Sequence, residues 1–488
     1  MKDKDSFKKL RFTGKSCCRQ IWYLIAKHSL GFYNNVAVSV FYTNRSPLDV
    51  QHLQSFIYRA LKEVIADHPA LGVNIKDDDK SRPYYVQLPT IDLSKTVTFI
   101  PSVAIPNPLD PEGVKNLDLL LEEQHNRNFK DQASQDPLWR LLIVHEPVES
   151  SRFVACFVYH HGICDGTSGL VFHQHLHRKL NQIPISDTDQ EADAIVATSS
   201  KAFLPALEDL HPLPLSTRFL LKAILKEHLV SEKSKRHIWT AAPITSDPSK
   251  RRCRYRSVRF SQETTSQLLA ACRAQSTSLT AAVQTIFASS LFVHLPSSQF
   301  SSLYCDGAMS FTRWLPVDLV DKDSIGTWVS QYNFEHRFVS MDSSSQSDAI
   351  KLFSWEEARK VKATIQKEID NEGKNSAVSL LKFAGNMHKF SKQKIGKPRA
   401  ASFEISNIGI FGHKHQEDGE ESSWTVGRVV FSQSVDVVGA AIEVSLVTGN
   451  DGSLNIGFSW LDGIVEGSII EQAMGTFERT VEELVSRT

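Results

Sequence analysis

Hydrophobic and polar positions along this chain follow two rhythms, one of period two and one of period 3.6, and these predict its strands and helices. In NNVAVSVFYT, Val36, Val38, Val40 and Tyr42 alternate as a half-buried strand should. Leu53, Phe56, Ile57, Ala60, Leu61, Val64 and Ile65 then keep helical spacing, and Pro69 stops the helix. LGVNI and PYYVQL read as strands around the polar turn KDDDKSR. Between Asn107 and Pro137 the pattern predicts loop, a helix around Leu117–Asn128, and loop again. LWRLLIVH (138–145) is the next strand, expected to pair with Arg152–Tyr159 through the turn EPVESS.

Residues 181–255 change character. A polar stretch, NQIPISDTDQEADA, leads to an apolar helix (Thr217–Leu229) and a basic stretch, Lys233–Arg256, that contains Pro243 and Pro248. Beyond it the pattern resumes with a strand, a helix, and a second helix capped by Ser278 or Thr280. Met309–Leu319 reads as a strand running into an irregular loop, and Trp355–Ile369 as a helix. Four strands, ASFEISNIGIF, VGRVVFSQS, AAIEVSLVTG and SLNIGFSW, precede a final helix from about Glu466 to Arg487. Strands mixed with helices on both sides of the change predict an α/β protein of two lobes meeting at a shared cleft. The expected division is 1–185, a crossover 186–255, and 256–488.

At 488 residues the chain exceeds one ordinary core. Its 55 basic and 55 acidic residues cancel, so nothing global draws it toward nucleic acid. No apolar run reaches the roughly 18 residues that span a bilayer. The charged N-terminus, MKDKDSFKKLRFTGKSCCRQ, lacks the apolar core of a secretory signal. Seven cysteines without metal-like spacing, Cys17 and Cys18 adjacent among them, point to reduced thiols and a cytoplasmic location. Ser16–Phe32 reads as a helix with Ile21, Trp22 and Ile25 on one face. Its basic side chains offer an alternative, a peripheral membrane contact such as the endoplasmic reticulum or a lipid droplet. His173, His175 and His177 scatter around a helix, so no metal is expected.

Candidate chemistry concentrates in Phe153–Leu170, FVACFVYHHGICDGTSGL. A strand rich in aromatic and β-branched residues ends at His160 and His161, a tight loop carries Asp165 and Gly166, and a helix follows. An imidazole titrating near 6.5 is the usual proton acceptor at neutral pH, and a strand end holds it in one orientation. Alternation sends the two histidines to opposite faces, so one of them faces a given cavity. A carboxylate at Asp165 suits loop support through an arginine better than nucleophilic attack. Gly166 implies positive φ or a close approach.

HHGICDG resembles the HHxxxDG signature shared by chloramphenicol acetyltransferase, plant acyltransferases and nonribosomal-peptide condensation domains. Within that superfamily the chain is most similar to the fungal alcohol acetyltransferases. The resemblance covers most of the chain, including LGFYNNVAVSVFY, ALKEVIADHPALGVNI, PLWRLLIVH, ISNIGIF, VVFSQS and SLNIGFSWLDG. FSWLDG does not match the DFGWG motif of the plant branch.

The resemblance implies two lobes, each shaped like a chloramphenicol acetyltransferase subunit, with a tunnel between them for acyl-CoA and acceptor. It implies His161 as general base, with His160 and Gly166 supporting the loop, and Asp165 as a structural residue whose ion-pair partner would be Arg313. Ser406 and Asn407 are candidates for the oxyanion, beside the Gly166 amide. Arg251, Arg252 and Arg254, in KRRCRYRSVR, are candidates for the CoA phosphates, with a solvated loop as the alternative; KFSKQKIGKPR (389–399) poses the same choice. Direct transfer implies no acyl-enzyme on Cys164 and no resident cofactor. The expected activity is CoA-dependent O-acetylation of a small alcohol or secondary metabolite by a monomer. The alternatives are condensation with carrier-bound donors, and a binding protein that keeps the fold.

Overall fold

A computed structural model describes residues 8–10, 19–102, 111–130, 135–183, 192–229, 237–338, 348–412 and 423–487. Cys17 and Cys18, the first residues of the Ser16–Phe32 segment, most of the polar stretch after Gln182 and the start of the basic stretch Lys233–Arg256 lie outside the described residues.

Two sheets carry the fold. The first has five strands, in the order Trp424–Gln433, Val36–Asp49, Glu149–Tyr159, Trp139–His145 and Val97–Pro101. Trp139 lies opposite Tyr159 and His145 opposite Phe153, the antiparallel hairpin that the alternating pattern predicts. The strand Val36–Asp49 departs from its half-buried pattern, because Ala37, Ser39 and Phe41 are buried as well. It is interior: it has a neighbour on each edge, and the helices Val50–Asp67 and Gly166–Gln182 pack across it.

The second sheet runs Ile238–Trp239, Ser302–Ser310, Ala401–Ile410, Ala440–Thr448, Leu454–Leu461 and Cys253–Phe260, with Val329–Arg337 added antiparallel to Ser302–Ser310. The strand expected from Met309 starts earlier and stops at Ser310, and a 3-10 turn, Thr312–Trp314, follows. Behind this sheet every residue of the helix Leu279–Phe292 from Ala281 onward is buried. Ser278 caps it by accepting the Ala281 N–H at 3.3 Å.

The sheets do not follow the halves of the chain. Trp424–Gln433 crosses from the second half to pair with Val36–Asp49, from Trp424 opposite Asn44 to Gln433 opposite Val36. The helix Pro111–His125 packs in return on Cys253–Phe260. The helix Arg19–Ser29 is wedged between the lobes, with Ile21 and Ile25 in the first core and Trp22 and Ala26 against Met387. That corrects the membrane-contact alternative for this helix, since a surface helix needs a free apolar face and this one is covered. Among the described residues no helix is long and apolar enough to cross a membrane.

Candidate active site

The histidine loop is fixed by its own carbonyls. The strand ends at Tyr159, whose hydroxyl donates to the Asp165 carbonyl at 2.8 Å. The Ile163 N–H donates to the carbonyl of His160 at 3.0 Å. Thr327 Oγ1 donates to the carbonyl of His161 at 2.9 Å, and the Tyr85 hydroxyl to that of Gly162. Such a loop cannot swing without leaving buried acceptors unpaired.

The two histidines part company at this point. His160 is buried beside His28, their ring centroids 4.3 Å apart. Its Nδ1 accepts the Gly162 N–H at 2.8 Å, so its proton sits on Nε2. Burial and the neighbouring His161 push its pKa down to about 3, which keeps it neutral. His161 faces a cavity of about 280 Å³ between the two sheets. Its Nδ1 lies 3.0 Å from the Cys164 carbonyl. A carbonyl can only accept, so Nδ1 carries the proton and Nε2 keeps its lone pair. Burial lowers the pKa of His161, and the nearby Asp165 pulls the other way.

Asp165 is the N-cap of the helix Gly166–Gln182. Its Oδ1 accepts from the Ser168 N–H (2.9 Å), the Ser168 hydroxyl (2.9 Å) and the Thr167 hydroxyl (2.8 Å), and its Oδ2 from the Trp328 N–H (3.3 Å). The expected ion pair with Arg313 is therefore corrected. Arg313 is exposed on the Thr312–Trp314 turn, over the ring of Trp314 at 5.7 Å. Local hydroxyls and amides satisfy the carboxylate instead. Gly166 has no positive φ; a Cβ there would lie 2.5 Å from Ile408 Cγ2, so close approach is what demands glycine. Cys164 is fully buried, which raises its thiol pKa well above the ordinary range and makes it a poor nucleophile. Its contribution is the carbonyl that orients His161.

Strand alternation separates the two oxyanion candidates. Ser406 lines the cavity. Asn407 turns the other way, donating to Thr280 Oγ1 at 2.9 Å and accepting the Gly409 N–H at 2.9 Å. Asn407 is thus not brought to His161. Neither are the three arginines proposed for CoA. Arg254 is held by Glu122 (3.0 Å) and Asp462 (2.7 Å), Arg252 lies 3.9 Å from Glu122, and Arg251 covers the ring of Phe32 and donates to Ser246 and Leu30 carbonyls. The basic segment after Met387 does reach the cavity, through Phe390 and Lys394.

Several cavity residues carried no motif in the sequence. Gln20, Tyr23, Leu24 and Lys27 share one face of the helix Arg19–Ser29 and line the cavity. Lys27 Nζ meets Asp436 Oδ2 at 2.8 Å and sits 4.3 Å from the Tyr23 ring centroid. Burial opposes its charge, but Asp436, with Tyr23 behind it, raises its pKa overall. Glu404 and Glu443 complete an acidic wall. Burial, with Asp306 as the next cause, lifts Glu404 to about 8; burial and Glu404 lift Glu443 well above the carboxylate range. Tyr33 links this wall to the loop, its ring 5.7 Å from that of His161 and its hydroxyl 3.1 Å from Gln433 Oε1. The helical spacing of Gln20, Tyr23, Leu24 and Lys27 was a signal in the sequence. The meeting of Glu404, Asp436 and Glu443 was not.

The cavity thus combines a fixed, neutral imidazole with a free Nε2, a serine hydroxyl and a polar wall. Comparisons with known proteins agree on its lineage. The alcohol acetyltransferase family model matches residues 22–481. A probable alcohol acetyltransferase, crmB, of Aspergillus fumigatus is 32% identical over 458 residues, covering 92% of this chain and 95% of that protein. A second, FCK4 of Fusarium pseudograminearum, is 23% identical over 477 residues, covering 94% and 92%. In fold, the chain is similar to the TRI3 trichothecene 15-O-acetyltransferase of Fusarium sporotrichioides (TM-score 0.71, 15% identity, 98% and 95% covered). It is also similar to the first condensation domain of the CDA synthetase (TM-score 0.56, 15% identity, 98% and 96% covered). At such identities these two likenesses speak for the two-lobed fold alone. The family match spans nearly the whole sequence, and the chain belongs to the alcohol acetyltransferase family.

Proposed function

We propose that His161 is the base with which this CoA-dependent O-acetyltransferase moves an acetyl group from the thioester to an acceptor hydroxyl. The observation that carries the reading is the bond from His161 Nδ1–H to the Cys164 carbonyl, which leaves Nε2 unprotonated toward the cavity. Nε2 takes the hydroxyl proton as the oxygen attacks the thioester carbonyl. The C–S bond then breaks, and the imidazolium returns the proton to the departing CoA thiolate. No covalent enzyme intermediate forms.

Ser406 supplies the hydroxyl for the tetrahedral oxyanion; such a donor is commonly worth about 3–4 kcal/mol in the transition state. The CoA phosphates sit at Lys389 and Lys392, exposed on the segment whose Phe390 and Lys394 reach the cavity. The acceptor lies against the opposite, acidic wall.

The test is thiol release from acetyl-CoA with a panel of alcohols, wild type beside His161→Ala. Acceptor-dependent release should fall by roughly 10² or more in the variant. A variant that keeps the wild-type rate would overturn the assignment.

A further inference from the structure

Beside His161 the cavity is bounded by a chain of contacts that closes on itself. The Tyr33 ring lies 5.7 Å from that of His161, and its hydroxyl donates to Gln433 Oε1 at 3.1 Å. Gln433 is two residues beyond Phe431 on the strand Trp424–Gln433, hence on the same face, and both line the cavity. The Phe431 ring returns to the histidine loop at Gly166, where its Cζ is 3.2 Å from the place a Cβ would take. Val36, opposite Gln433 on the neighbouring strand, lines the same space.

One flank of this girdle is carbon. Phe431 is 2% exposed and Val36 1%, and Val38, opposite Phe431 in the sheet, is fully buried, so the flank leads into core and not to solvent. Four groups surround the reacting carbon in the tetrahedral intermediate. The oxyanion needs a donor, the CoA arm must run out to its phosphates, and the acceptor comes and goes by the cavity mouth. The acyl tail arrives on CoA and leaves on the acceptor, so it alone needs no route of its own. It is also bonded to the reacting carbon, which keeps it next to the groups beside His161. We propose that Phe431 limits the acyl group to two carbons: its ring tip, set against Gly166, closes the space that an acetyl methyl fills and a longer chain overfills.

The proposal rests on the assignment of His161 above, which puts the reacting carbon beside the girdle. The ring has little freedom to yield. Its backbone is held in register with Val38, and Gly166 belongs to a loop whose carbonyls are bonded by Tyr159, Tyr85 and Thr327. Extra methylenes pushed into such a space force side chains off their rotamers, which is costly.

The experiment uses wild type, Phe431→Leu, which removes the ring tip, and Phe431→Met, which keeps bulk but can swing aside. Calorimetric titration with S-(2-oxopropyl)-CoA and S-(2-oxopentyl)-CoA reads binding alone, because a methylene between sulfur and carbonyl prevents transfer. Initial rates with acetyl-CoA and butyryl-CoA on one alcohol read turnover. Wild type should favour the shorter chain by roughly tenfold or more in both, and each variant should remove most of that preference. A wild type that takes both chains equally, or a preference that survives in a folded variant, would overturn the proposal. So would a variant whose acyl preference is unchanged while its preference among alcohols of different length shifts, because Phe431 would then bound the acceptor. Thiol release that persists in His161→Ala would instead sink the base assignment and leave the calorimetric comparison standing.

Discussion

Asp165 Oδ2 accepts the backbone N–H of Trp328 at 3.3 Å, joining the histidine loop to a segment of the second half. Further bonds follow the same seam, among them one from the Gly326 N–H to the Ser168 hydroxyl at 3.1 Å. Asp165 N–H and the Ser168 hydroxyl both donate to the Gly326 carbonyl at 2.8 Å, and Thr327 Oγ1 donates to that of His161. Asp165→Ala removes the helix cap, worth about 0.5–2 kcal/mol, and also leaves the buried Trp328 N–H without its acceptor. The variant should melt earlier and lose turnover, whereas Arg313→Ala should match wild type in both. Thermal melts alongside steady-state rates decide it, and a strongly impaired Arg313→Ala would restore the ion-pair idea.

The acid limb of kcat/KM with a neutral alcohol should be centred below 6.5. Burial lowers the pKa of His161, so the neutral imidazole persists to lower pH than that of a free histidine. Protonation below that point removes the lone pair and with it the rate. A limb centred at or above 6.5 in a pH–rate profile would contradict the burial argument.

Ser406→Ala and Asn407→Ala should behave oppositely. Loss of an oxyanion donor typically costs about 10²–10³ in kcat, which is the expectation for Ser406. Asn407 bonds Thr280 on the helix side of its strand, so Asn407→Ala should leave kcat near wild type and cost some stability. Kinetics on both variants, with circular dichroism to check folding, separate the two faces of this strand.

Lys27→Met should destabilise the protein by about 3–5 kcal/mol, because it strands Asp436 in the interior. The double variant Lys27→Met/Asp436→Leu should recover a large part of that loss. Urea titrations of wild type and the three variants give the coupling between the pair, and additive effects would mean that the contact at 2.8 Å contributes little.

Lys389→Glu together with Lys392→Glu should raise KM for acetyl-CoA several-fold with little change in kcat. Reversal of Arg254, already committed to Glu122 and Asp462, should act on stability instead. Varying acetyl-CoA at saturating alcohol reads the split; an unchanged KM would move the phosphate site elsewhere.

Much of this molecule was legible because helical and strand periodicity are local. The hairpin of Trp139–His145 with Glu149–Tyr159, the helix that follows the histidine loop and the two-lobed α/β class all came from spacing alone. The partner of Asp165 was misread, although the signal lay two and three residues on. Thr167 and Ser168 follow an aspartate at a helix start, which is an N-cap pattern, and the general pairing of carboxylates with arginine obscured it. Ser406 and Asn407 could not be ranked, because alternation says that they face apart and not which face is inward. Val329–Arg337 escaped notice as a strand: its polar positions outnumber its apolar ones, and it pairs along a single neighbour. The acidic wall depends on Glu404, Asp436 and Glu443 meeting across separate elements, a tertiary fact with no local trace.

The crossing of Trp424–Gln433 into the first sheet has a consequence for biosynthesis. Val36–Asp49 leaves the ribosome some 375 residues before the strand that closes its free edge begins. Throughout that interval the edge offers unpaired N–H and C=O groups, the situation that invites intermolecular pairing. Such long-range closure also predicts slow folding. Recovery of active enzyme in a foreign host should therefore depend on chaperone supply and on slow, cool expression more than on codon choice.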